Sequence, residues 1–115
     1  MLKDIYAHLK EKELNPYFPG RHKGECEEPF VVIKEGFQMP SIQSNRVGQR
    51  IMDFVLFVPI YDYKQVDPYR RKVVQALKEL PFLRKTGGET PVIVDDTKKA
   101  YTTSIEYVIQ KKLEG

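Results

Sequence analysis

Apolar residues recur at Leu2, Ile5, Tyr6 and Leu9, the i, i+3, i+4, i+7 spacing of one helical face, while Lys3, Asp4, Lys10 and Glu11 fall elsewhere. This spacing predicts a helix over residues 2–13. Asn15-Pro16 ends it, because the residue before a proline is pushed out of the α region, and Pro19-Gly20 adds a second break. Residues 15–28 read as loop. The period then changes. Phe30-Val31-Val32-Ile33, bounded by Pro29 and Gly36, is a β-branched and aromatic run that predicts a strand buried on both faces. Ile-Met-Asp-Phe-Val-Leu-Phe-Val over residues 51–58 is apolar on both alternating faces apart from Asp53, and Pro59 closes it, which predicts a second, central strand.

Residues 36–50, between those strands, are rich in Gln, Ser, Asn and Gly and show no sustained period. A loop of that length inside a small domain is uncommon and usually functional, so a partner-binding arm is preferred over a plain hairpin tip. Within residues 38–49, Met39 and Ile42 are the apolar points a partner surface would grip, with the cations Arg46 and Arg50 behind them.

A second helix has Asp67 as N-cap, Pro68 at the first helical position and an apolar stripe of Tyr69, Val73, Ala76, Leu77 and Leu80, and it ends at Pro81. Thr86-Gly87-Gly88 predicts a turn, Pro91-Val92-Ile93-Val94 a third strand and residues 95–99 a polar turn. From residue 101 to 112 the chain alternates, with Tyr101, Thr103, Ile105, Tyr107 and Ile109 on one face and Thr102, Ser104, Glu106, Val108 and Gln110 on the other. Ile105, Val108, Ile109 and Leu113 also fit a helix, but the density of β-branched residues favours a half-exposed fourth strand. The expected order is α-β-β-α-β-β. This is an α+β domain over residues 1–115, a mainly antiparallel four-stranded sheet flanked by two helices.

At 115 residues the chain is long enough for one core, and 41% hydrophobic with 30% charged residues is ordinary for a globular domain. A net charge of +3 falls short of a dedicated basic module. The lone Cys26 has no internal disulfide partner, and Glu25, Glu27 and Glu28 disfavour its thiolate, which suits a reducing compartment. Residues 1–12 lack the apolar core of a signal peptide, and residues 54–60 are far shorter than the roughly twenty needed to span a bilayer. Neither secretion nor membrane insertion is expected.

No catalytic constellation emerges. His8 and His22 stand fourteen positions apart in sequence without a second Cys or His cluster, so neither zinc nor any other metal is expected, and His8 is placed on the solvent edge of the first helix. Asp95-Asp96 follows turn preference, Gly87-Gly88 lacks the frames that cradle phosphates, and Ser41, Ser44 and Ser104 have no nucleophile-elbow context. The expectation is a protein that is not an enzyme and takes no cofactor.

The leading helix, the strand-loop-strand around IMDFVLFVPIYD, the helix VDPYRRKVVQALKEL and the closing PVIVDDTKKAYTTSIEYVIQKK together resemble one family over nearly the whole chain. It is the tail-terminator family, also called tail-completion or minor capsid proteins, of long-tailed bacteriophages and of prophages in Gram-positive bacteria. The resemblance is one of element order and character. It implies a structural protein that assembles as a ring, usually of six copies, caps the growing tail tube, ends tail polymerisation and joins the tail to the head. Its partners would be copies of itself, the tail tube protein and a head-completion or connector protein. Its place would be the neck of the virion, after assembly in the bacterial cytoplasm.

A ring requires a heterologous interface, in which one patch meets a different patch on the neighbour. The fourth strand, with Tyr101 and Tyr107 and an open backbone edge, is the candidate from the sheet. Tyr17, Phe18, Tyr61 and Tyr63 lie in connecting segments, as binding anchors or as plugs for the ends of the core. The rival reading is a small nucleic-acid-binding domain using Arg46, Arg50, Arg70, Arg71, Arg84, Lys85, Lys98 and Lys99. Against it, no stacking aromatics are interleaved with those cations in a known module, and the second helix has no helix-turn-helix partner, so sequence-specific nucleic-acid binding is not expected.

Overall fold

A computed structural model describes residues 2–35 and 50–109. Helix α1 (Leu2–Glu11) forms on the predicted stripe and buries Ile5 and Leu9. It stops through a left-handed cap. Glu13 takes φ 61°, its N–H donates to the Lys10 carbonyl, and the Leu14 N–H reaches back to the Leu9 carbonyl, both at 3.0 Å. Leu9 and Leu14 both lie in the core, so the cap also turns the chain inward.

Strand β1 (Pro16–Tyr17) follows and runs parallel to β2 (Phe30–Glu35). The β2 strand pairs antiparallel with β3 (Arg50–Pro59), Phe30 opposite Phe57 and Ile33 opposite Phe54. A short 3-10 turn (Tyr63–Gln65) leads into helix α2 (Val66–Lys78). The helix begins one residue before Asp67, which lies in the first turn, where its negative charge suits the positive helix terminus. Strands β4 (Leu83–Glu89), β5 (Ile93–Asp95) and β6 (Ala100–Ile109) complete the sheet. Its order is β1-β2-β3-β6-β4, with β5 also paired to β6.

The α+β class and the two helices stand. The four-stranded, α-β-β-α-β-β layout does not, because among the described residues the sheet has six strands and is mixed. Two strands escaped the pattern for physical reasons. A two-residue strand is too short to show a period, and β4, of sequence LRKTGGE, is exposed at every residue but Leu83 and owes its conformation to pairing with β6. The Thr86-Gly87-Gly88 segment is thus not a turn between elements. It lies in a strand whose register shifts between Lys85 and Glu89, with Gly87 at φ 93°.

Both helices cover one face of the sheet. Val31, Ile33, Met52, Phe54, Leu56, Ile105, Tyr107 and Ile109 meet Ile5, Leu9, Val73, Ala76 and Leu77 there. His8 is not at the solvent edge, since its Nε2–H donates to the Ala76 carbonyl at 2.9 Å and ties α1 to α2. The buried Tyr69 hydroxyl donates to the Leu14 carbonyl, and Lys12 pairs with Glu79 at 3.2 Å. On the back of the sheet lies a smaller cluster, Cys26, Phe30 and Ala100, with Tyr17, Val32 and Phe57 packed against it. Burial, more than the neighbouring Glu28, pushes the Cys26 thiol up to about 11 despite Lys98 nearby.

Candidate protein-binding surface

Three segments bring exposed apolar side chains to one end of the sheet. The β3–α2 connection contributes Ile60, Tyr61 and Tyr63, the latter two 76% and 62% exposed. The approach to β5 and its first two residues contribute Val92, Ile93 and Val94, of which Ile93 is 59% exposed. Tyr101, at the start of β6, joins the two. It sits opposite Val94 in the ladder, and the Tyr63 ring meets it edge-on with centroids 4.9 Å apart.

Backbone geometry explains the convergence. Pro59 ends β3 against Ala100, the Ile60 N–H donates to the Lys99 carbonyl at 3.0 Å, and the chain turns out of the sheet at once. The Tyr61 hydroxyl donates to the Glu27 carbonyl at 2.7 Å, which fixes a ring that is otherwise in solvent. Tyrosines held in this way offer large apolar area at little further cost in side-chain entropy. Exposed apolar groups gathered at one place mark an interaction surface more often than scattered ones do.

The sequence candidates do not gather there as a set. Tyr101 belongs to the surface. Tyr107 does not, because it is only 3% exposed and packs edge-on against Phe54 in the core at 5.3 Å. Nor is β6 a sheet edge, since β3 pairs with it along one side and β4 and β5 along the other. Arg50 pairs with Ile109 at the opposite end of the sheet, about 26 Å from Tyr101 at the usual rise per strand residue. It forms an ion pair with Glu35 at 3.5 Å. Met39, Ile42 and Arg46, with the proposed arm, lie outside the described residues.

The connecting aromatics divide between the two roles. Phe18 stacks on Tyr6 at 5.0 Å and Tyr17 packs on the back cluster, so both plug the core, whereas Tyr61 and Tyr63 face outward. Ile60 and residues 92–94 were missed as surface, because a run of β-branched residues reads as buried strand whichever element covers it. The one available signal was Pro91, which marks an edge.

A second surface lies on the back of the sheet beyond the small cluster. Among the described residues no helix covers it, and Ile51, Val55 and Val108 are half-buried there. Lys34, Asp53 and Glu106 form a row across it, each opposite the next. Burial first, then the facing Glu106, raises the Asp53 carboxyl, while Lys34 lowers it.

Several cations of the nucleic-acid reading are already engaged. Arg70 and Lys85 both pair with Glu89, and Lys98 bonds to the loop before β2. Arg71, Arg84 and Lys99 stand on α2, on β4 and in the β5–β6 turn. Among the described residues, no group of three or more His, Cys, Asp or Glu side chains is arranged to hold a metal ion, and no helix is long and apolar enough to cross a membrane. No protein-family model matches the chain, and no curated protein matches it.

Proposed function

We propose that this protein is a structural assembly subunit of the tail-terminator kind, which caps a phage tail tube as a ring of its own copies and joins the tail to the head. The observation that carries the reading is exposed apolar area at one end of the sheet, where Tyr63 packs on Tyr101 and Val94 stands opposite it on the helix-covered face. Apolar and aromatic area of that kind, with Asp62, Lys64 and Asp96 close by in sequence, has the composition of a subunit contact. The back of the sheet, the face that carries Ile93, is a different surface with its own apolar and charged character. Two unlike patches on one chain are what a head-to-tail contact needs, and such contacts close into rings when the rotation allows.

The experiment replaces Val94 by Asp and Tyr63 by Ala together in a phage assembly assay. Both side chains are exposed, so the melting temperature should stay within a few degrees while ring formation and tail joining are lost. A folded double variant that still completes tails of normal length overturns the assignment of this surface.

A further inference from the structure

Residues 22–27 of the connection between β1 and β2 lie against the back of the sheet, held by the buried Cys26, by the Tyr61 hydroxyl on the Glu27 carbonyl and by Lys98, in the β5–β6 turn. The Lys98 Nζ stands 3.0 Å from the His22 Nδ1, 3.0 Å from the His22 carbonyl oxygen and 3.1 Å from the Gly24 carbonyl oxygen. The backbone of Lys98 is held as well. Its carbonyl accepts the Cys26 N–H at 2.7 Å, and its own N–H donates to the Asp95 carboxylate at 3.1 Å. The His22 ring lies flat on Phe30 at 3.8 Å, and Phe30 lies flat on Phe57 at 4.7 Å. Tyr17 meets both His22 and Phe30 edge-on. One imidazole therefore caps the aromatic column and receives the lysine.

An ammonium group has three N–H donors and accepts nothing. Here three acceptors meet those donors, and one of them, Nδ1, accepts only while the imidazole is neutral with its proton on Nε2. Protonation turns Nδ1 into a donor facing a donor and sets a second cation 3.0 Å from the first. We propose that His22 and Lys98 form a proton-operated latch, which holds residues 22–26 tightly on the back of the sheet at neutral pH and loosens them on acidification.

The charged and titratable groups around the ring have opposing effects. Lys98, from the β5–β6 turn, disfavours the imidazolium and Glu27, from the loop itself, favours it. Glu25, Glu28 and Lys23 line the same cleft, with Tyr17 from β1 and the uncharged Phe30 from β2. Burial and Lys98 together outweigh Glu27 and hold His22 below its ordinary value of 6.5. The sign follows from a depressed value. The closed loop is favoured in full above 6.5, loses ground as pH falls from there to the lower closed-state value, and levels off below it. Across that window the opening equilibrium rises by up to about tenfold per pH unit for one proton.

Heteronuclear NMR of the full chain between about pH 8 and pH 5 tests the latch. The Gly24 and Cys26 amide signals should shift with one midpoint, below 6.5 and shared with the His22 ring. His22→Phe keeps a ring on Phe30 but has nothing to titrate, so both amides should stop responding. Lys98→Met removes the cation and should raise the His22 midpoint. Amides that ignore pH in the wild type, a response that persists in His22→Phe, or a His22 midpoint unmoved in Lys98→Met would each overturn the proposal.

Discussion

Glu13 stands at φ 61°, a backbone region where a side chain crowds the following carbonyl by roughly 1–2 kcal/mol. The conformation persists because the Leu9–Leu14 contact and two backbone hydrogen bonds over-determine it. Glycine removes the crowding but frees the unfolded chain, which returns about 0.4–1 kcal/mol. Glu13→Gly should therefore raise stability by about 0.5–1 kcal/mol, read as a higher midpoint in urea denaturation. A lower midpoint would mean that the Glu13 side chain contributes to the cap.

The amphipathic character of α2 has direct consequences for packing. Its buried stripe, Tyr69, Val73, Ala76 and Leu77, follows the expected period, and Leu77 is shielded from solvent by both α1 and the sheet. Leu77→Ala removes buried methyl groups and leaves a void that the surrounding core closes only in part, at a cost of about 2–5 kcal/mol. Calorimetry should show this as a clearly lower melting temperature. An unchanged midpoint would place the α2 stripe away from the core. The opposite face of the helix is polar, with Arg71, Lys72, Gln75 and Lys78. Arg70 instead reaches Glu89 and so joins α2 to the irregular edge strand β4.

For the whole molecule, an excess of +3 with several cations in ion pairs leaves only a diffuse positive field. Binding to duplex DNA should then be non-specific, with a dissociation constant on the order of 10–100 micromolar at physiological salt, and should weaken steeply as salt rises. Fluorescence anisotropy with a labelled duplex at two salt concentrations measures both quantities. Tight, salt-tolerant and sequence-selective binding would favour the nucleic-acid reading over the assembly reading.

Both helices, strands β2 and β3 and the inward face of β6 were legible along the chain, because each carries its own period: Ile5 and Leu9, Val73 and Leu77, Phe54 and Leu56, Ile105 and Ile109. Hydrophobic burial is a local signal whenever an element is long enough to repeat it. The neighbours of each element are another matter. That β6 is interior and Tyr107 buried, that a polar LRKTGGE run becomes a strand, and that Ile93 and Val94 face solvent all depend on which strand lies alongside. Backbone pairing of that kind leaves no mark in the side-chain pattern of one segment. The candidate surface belongs to the same class, since Tyr63, Val94 and Tyr101 come from three separate segments and meet only where the sheet ends. So does the contact of Lys98 with His22, 76 positions apart in the chain and 3.0 Å apart in the fold.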